Sequence, residues 1–517
     1  MLTVADHAQR GFFDASWCGD LLPADSIYSL LAEHGHRIVR DEDFAECYAD
    51  RTARPSIPPS MLAKVLLLAY RDELSDERAM EALRFDLRWK VALDLPVDHP
   101  GFHSTSLVRF RARLLLHGRE RLVFERSLCL AKELGLVDEA TEQIVDWTPM
   151  LGAAAAQDTI SLVRSGVRKL IDAVKTCEKD AASELESGLR FDYSRPREKP
   201  DGDWRDKASR EALLGEVASD AERALRAVEG EEELAAEEAV AEAAKLLREI
   251  VGQEFEVSDD EVPRVRRGRR TRQVLSAHDP EMRHGRKTAA KPFTGYKLHA
   301  AAATEAPLLT SICVSPANEH DGQHAGTLID AEPEERRPKR VIGDTAYGNI
   351  ECREALEERS VEVLAQVAST SPKDGTLTKD AFAIDLDAGT VTCPRGETAQ
   401  MQRLDPRGER LARFQRKASE PCPLRARCAP GGRRAIRVSR REDLRQGAMR
   451  ALSDPDEREH LYRVRPRIER LLGLIVHRYR GRKARYRGTR KATLQAVWTA
   501  VLVNLHPVGV ALRGEGV

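Results

Sequence analysis

Long apolar runs are missing from this chain, and their absence excludes an architecture built from membrane-spanning helices. The longest candidate, Ala496 to Leu512, is interrupted by Asn504, His506 and Pro507, so it reads as a core helix with a terminal tail. A secretory leader is also missing: no N-terminal stretch joins basic, apolar and small residues in signal-peptide order. Cysteine is sparse, nine residues scattered over 517, which excludes a disulfide-built scaffold. It points instead to a reducing, cytoplasmic setting with thiols free or metal-bound. Net charge is nearly absent, at -1. With 41% hydrophobic and 32% charged residues the composition is globular, and the length implies about three or four domains or large insertions.

The near-neutral total conceals a division. After residue 400 Lys and Arg outnumber Asp and Glu by 29 to 11, whereas Glu178 to Glu261 is acidic. A basic C-terminal third suits a polyanion, with nucleic acid the usual one. The plainer explanation is an Arg-rich protein filling its solvated surface with Arg.

Apolar residues recur at helical spacing in Ser26 to His34, in Met61, Leu62, Val65, Leu66 and Ala69, and in Ala79, Met80, Leu83 and Leu87. A further helix is expected after Ser104, a good N-cap, with Arg109, Arg111 and Arg113 interleaved among apolar residues. One face packing and the other meeting phosphates would make a helix-turn-helix-like DNA-binding unit. Packing without DNA contact gives the same pattern.

Two β-forming runs end on aspartate. Arg340-Val341-Ile342-Gly343-Asp344 precedes a helical pattern, and Ile144-Val145-Asp146 precedes Thr148-Pro149, which is expected to stop the strand. An Asp after a strand is commonly a turn or cap residue, but the ends of strands in open α/β sheets are also where ligands bind. Gln157 to about Val262 is Ala/Glu/Arg/Leu-rich and helical in period, and the basic stretch Arg264 to Arg272 leads out of it. Phe293 to His299 and Leu308 to Val314 then read as an antiparallel hairpin. Asn318 and Asp321 are expected in a loop, His324 at the start of a helix, and Val361 to Val367 as a last strand.

Strand with Asp, hairpin, helix, strand with Asp, helix, strand is the order of a ribonuclease-H-like mixed sheet, an α/β fold, here with a helical insertion after its first strand. With Asp146 and Asp344 in that order the chain resembles bacterial insertion-sequence transposases of the DDE type. Their third acid lies on a later helix in a Y-x2-R-x3-E-x6-K signature, and Tyr462, Arg465 and Glu469 stand at those intervals. The sequence departs from the signature at Val476, flanked by His477 and Arg478, where a lysine is expected to bind substrate DNA. It departs again at Trp147, where a small residue often follows the first Asp. Residues 54 to 116 resemble the N-terminal domain of these proteins, and Gly481 to Asn504 their closing helix.

The resemblance implies a helical, DNA-binding region at 1–135, the first core strand in 136–156, a helical insertion at 157–275, catalytic core at 276–369, a Cys-containing insertion at 370–450 and catalytic helices at 451–517. It implies Asp146, Asp344 and Glu469 as ligands of two Mg²⁺ ions, with Mn²⁺ a substitute, acting on double-stranded DNA in a homodimer. Paired ions about 3.5–4 Å apart suit phosphodiester hydrolysis and attack by a freed 3′-hydroxyl, and carboxylates are the hard ligands they prefer. Tyr462, Arg465, His477 and Arg478 are the phosphate-contact candidates, although Arg465 equally suits an intrahelical ion pair. Cys393, Cys422 and Cys428 resemble a zinc-ribbon set, but Ser419 stands where relatives often have a fourth Cys. Two other functions fit the same residues: a transposase-derived DNA binder that no longer cleaves, and a nonspecific metal-dependent nuclease.

Overall fold

The computed structural model describes residues 2–3, 14–48, 56–137, 142–195, 198–257, 263–266, 268, 272–368, 375–406, 408–415, 422–429 and 432–514. Six helices come first: α1 (Ile27–Ile38), α2 (Pro59–Arg71), α3 (Asp76–Phe85), α4 (Leu87–Ala92), α5 (Thr105–Leu116) and α6 (Leu122–Glu133). Side chains of Ser26, Ser75 and Asp86 accept N-terminal amides of α1, α3 and α4. Ser104, expected to cap α5, makes no such bond; the His103 imidazole accepts the Thr105 N–H instead.

The central sheet uses β1 (Glu142–Leu151), β4 (Arg283–Thr288), β5 (Lys291–Ala303), β6 (Leu309–Pro316), β7 (Arg340–Gly343) and β8 (Glu362–Ala365). Its order is β4-β5-β1-β7-β8, with β6 also on β5. β5 runs antiparallel to β1 and to β6, whereas β1, β7 and β8 are mutually parallel. Gly295 sits where β5 changes partners, opposite both Arg283 and Leu151. Its φ is +145°, and a Cβ there would lie 2.3 Å from the Met150 carbonyl oxygen, so only glycine fits.

Thr148-Pro149 does not stop β1, contrary to the sequence expectation. The strand continues to Leu151 because β7 pairs only as far as Ile144, so the β1 edge next to Pro149 has no ladder partner there to miss its N–H. The strand β4 carries no apolar alternation, and nothing in Arg283–Thr288 announces it.

Alternation along β1 divides the surroundings. On one face Val145 and Trp147 join Ala301 and Val341 against α12 (Ala325–Asp330) and α13 (Ile350–Glu357). On the other Ile144, Leu298, Ala300 and Ile342 join one large core with the N-terminal helices and the C-terminal ones.

Between β1 and β4 lie α7 (Thr159–Cys177), α8 (Lys179–Ser187), α9 (Lys207–Glu229), α10 (Glu232–Ala236) and α11 (Glu238–Glu254), and a short ribbon, β2 (Phe255–Val257) with β3 (Pro263–Val265). They surround a core of their own, centred on Val163, Val167, Val217 and Leu247. After β8 a hairpin, β9 (Ala383–Asp385) with β10 (Thr390–Thr392), belongs to a five-stranded sheet. Its other strands are β11 (Thr398–Arg403), β12 (Arg410–Arg413) and β13 (Ala435–Val438), and a helical turn, α14 (Arg425–Cys428), stands beside it.

The chain ends in α15 (Glu442–Ser453), α16 (Pro455–Val464), α17 (Pro466–Gly473), a π-helical turn at Leu474–Arg478, and α18 (Thr489–Leu512). α18 is long and apolar enough to cross a membrane, but most of it is buried in the core. Asn504 and Pro507 do not break it. Asn504 is fully buried, and its amide pairs with both backbone groups of Leu309 at 2.8 Å.

Candidate active site

Asp146 and Asp344 come to one place by register. Ile144 and Ile342 are the last paired residues of parallel β1 and β7, and each aspartate lies two positions further along the chain, Asp146 within β1 and Asp344 directly after the end of β7. Period-two alternation therefore puts both carboxyls on the same face at the same level, where the two strands part. One oxygen of each is held by backbone: Trp147 N–H donates to Asp146 Oδ1 at 2.7 Å and Ala346 N–H to Asp344 Oδ1 at 2.8 Å. Asp344 does not cap the following helix; the Asn349 side chain does, accepting the Cys352 N–H.

Helix α17 packs against this face through Ile468, Leu471 and Leu472. Arg465, Glu469, Leu472, Gly473 and Val476 recur at helical spacing and form one wall of a cavity of about 430 Å³. Asp146, Trp147, Thr148, Lys287, Asp344, His477 and Arg482 line the rest. All three expected acids therefore face one space. Arg465 lies 3.7 Å from Glu469, one turn apart on the same wall. Burial pushes the Asp146 carboxyl up to about 6; Asp344 and Glu469 push the same way, against the Trp147 amide and Arg465.

Other expected contacts lie elsewhere. Pro466 interrupts the helix, so Tyr462 falls on α16, exposed, and its hydroxyl accepts from Gln366 at 2.6 Å. Arg478 lines a different groove, of about 1100 Å³, between α2, α3 and α4. On α5, Arg109 is exposed, Arg111 is buried in an ion pair with Asp76 beneath the Tyr486 ring, and Arg113 lies 4.1 Å over Tyr48. Arg111 is thus turned from the face expected to meet phosphates, because Asp76 at the start of α3 neutralises it inside the fold.

Around the acids, neighbours from other strands and loops complete the site. Trp147 projects to the face opposite Asp146, where the Lys297 ammonium sits 4.6 Å over its ring. Lys297 is itself paired with Asp321, which the sequence presents as a loop residue. Burial drives the Tyr347 hydroxyl well above its ordinary pKa, with Asp146, Asp321 and Asp344 adding to it.

A carboxylate-only donor set suits a hard divalent cation, and like-charge crowding at Asp146 is what such a cation relieves. Among the described residues no three carboxylate, imidazole or thiol side chains are drawn close enough to hold one ion as they stand. Cys393, Cys422 and Cys428 line a separate cavity of about 270 Å³. There burial raises the Cys428 thiol pKa, with the other two thiols adding and Arg434 opposing. Ser419 lies outside the described residues.

Two family models match the chain: Transposase DDE domain over residues 266–505 and Transposase domain (DUF772) over residues 18–113. The chain belongs to the insertion-sequence transposases of the DDE type. Asp344 and Glu469 fall within the first match of this transposase, and Asp146 lies between the two. No curated protein and no solved structure matches it. The family normally works with a divalent metal.

Proposed function

We propose that this DNA transposase cuts at the ends of its insertion sequence and joins them to target DNA through Asp146, Asp344 and Glu469. The observation that carries the reading is the single cavity lined by all three acids, which lie far apart along the chain. The strand order β6-β5-β1-β7-β8, with the two aspartates on the central parallel pair, supports a ribonuclease-H-like core. The helices and ribbon between β1 and β4 fit an insertion into it, and the five-stranded sheet before α15 fits a second.

Asp146, Asp344 and Glu469 would hold two Mg²⁺ ions, which when bound activate the attacking water or 3′-hydroxyl and stabilise the leaving oxygen. The protein's own contribution is positioning. Backbone amides restrain one oxygen of each aspartate and leave the other for a ligand. Arg465 offers a positive charge beside Glu469, and His477, exposed at the cavity rim, can meet a neighbouring phosphate. Joining two ends calls for a homodimer on DNA. Three thiols do not complete a tetrahedral zinc site, so the proposal carries no zinc.

The test is Mg²⁺-dependent cleavage and strand transfer on DNA bearing the flanks of this reading frame, against DNA without them. Asp344→Ala should abolish both steps while duplex binding persists. Full activity of that variant removes Asp344 from the mechanism, and equal cutting of both DNAs would make the protein a nonspecific nuclease.

A further inference from the structure

The acid cavity holds two cations that neither the signature nor the acid-bearing elements supply. Lys287 comes from β4 and lies 6.0 Å over the Trp147 ring, beside the strand residue that follows Asp146. Arg482 comes from the turn after the π-helical segment, and its backbone is stitched to the end of β1. Leu151 N–H donates to the Arg482 carbonyl at 2.6 Å, and Ala484 N–H donates to the Leu151 carbonyl at 2.8 Å. The strand that carries Asp146 thus also fixes the position of Arg482. Both side chains are exposed, and neither forms an ion pair among the described residues. Two neighbouring cations are engaged: Arg465 lies against Glu469, and Arg480 against Glu73.

Arg482 has a second role in the surface. Together with Val476 and His477 it also lines an adjoining groove of about 900 Å³, which continues past Lys483 and Arg485 to the α2–α3 turn at Glu73–Asp76. A linear polyanion crossing the acids needs neutralising contacts where it enters and where it leaves. Lys287 stands on the β4 side and Arg482 at the junction with the groove.

We propose that Lys287 and Arg482 hold the phosphates flanking the reacting one, and that the substrate strand leaves the acid cavity past Arg482 along the groove toward the α2–α3 turn. This rests on the reading of the acid cavity as the DNA-cleaving site. It also accounts for the apolar Val476: β4 and the 479–488 turn add cations to those of Arg465 and His477, so the position of Val476 itself need not supply one.

The experiment measures binding of the full-length chain to a short duplex of arbitrary sequence across a salt series. The variants are Lys287→Ala, Arg482→Ala, the double variant, the conservative Lys287→Arg and Arg482→Lys, and, as a remote control, the exposed Arg226→Ala. Each lost phosphate contact should reduce the slope of log affinity against log salt by about one, and the double variant by about two. The conservative variants should restore it and Arg226→Ala should leave it unchanged. Slopes of both alanine variants equal to the parent's, or an equal change in the Arg226 control, overturn the proposal. Asp344→Ala in the cleavage assay separates the two readings: if cleavage survives it, the acid site is wrong, whereas unchanged slopes with cleavage lost would discard only Lys287 and Arg482. Thermal midpoints matching the parent's tie any slope change to contact loss.

Discussion

At the scale of the residue, burial and a neighbour decide what a side chain can do. Asp146 and Trp147 are consecutive, yet alternation sends the carboxyl into the cavity and the indole under Lys297 on the other face. Trp147 nonetheless also lines the cavity, beside Asp146. Glu332 is a contrasting buried acid: only 3% exposed, it accepts from Gln143 Nε2 at 3.0 Å. Burial, against the Gln143 bond, lifts its pKa to about 7. The folded state then keeps a proton that the unfolded chain loses near 4.5, so this group makes stability fall as pH rises from about 4.5 to about 7 and level off beyond. At about 1.4 kcal/mol per pH unit the loss reaches roughly 3 kcal/mol. Glu332→Gln should flatten that part of the profile and stabilise the protein at pH above about 7, read as the difference between parent and variant urea midpoints across pH.

At the scale of the element, the polar interruptions in α18 illustrate why a pattern that resembles a break need not be one. Asn504 satisfies the N–H and C=O of Leu309 at the beginning of β6, so the residue that interrupts the apolar run ties the helix to the sheet. Asn504→Ala would leave two buried backbone groups without partners at a cost of about 2–4 kcal/mol. Chemical unfolding should show that loss with an unchanged denaturant slope; a loss below about 0.5 kcal/mol would mean that water or a shift of β6 replaces the amide. α17 makes the complementary point. The intervals between Arg465, Glu469 and Val476 are those of one helical stripe, and the stripe faces the aspartates. Pro466 cuts Tyr462 away from it, which spacing alone does not reveal.

At the scale of the whole molecule, the N-terminal helices and the core sheet are not separable bodies. Phe110 of α5 meets Trp498 of α18 edge-on at 6.3 Å, Tyr70 and Tyr486 share a hydrogen bond, and one apolar cluster runs from α1 through the sheet to α18. Removing residues 1–135 would uncover the apolar face of α18, so the shortened chain should be insoluble or unfolded by circular dichroism. A well-folded truncation with a sharp thermal transition would show that the helices are an independent domain. The helices between β1 and β4, with a core of their own, lack that dependence on α18.

The element types were largely legible: helices at 3.6-residue spacing, β-strands over the runs that lead into Asp146 and Asp344, and the hairpin of β5 and β6 all follow from local periodicity, because backbone geometry repeats over a few residues. The strand β4 was not legible, since its exposed Arg283–Thr288 has no apolar alternation, and the extension of β1 through Pro149 was hidden because it depends on β7 ending at Ile144. The sequence by itself determined which carboxylates were available and at what helical or strand phase. Only the tertiary structure decided that Asp146, Asp344 and Glu469 share a cavity, that Arg111 is spent on Asp76, and that Lys287 and Arg482 join the acids. Phase along an element is set by neighbours in the chain, whereas convergence and charge pairing are set by which distant surfaces the packed core brings face to face.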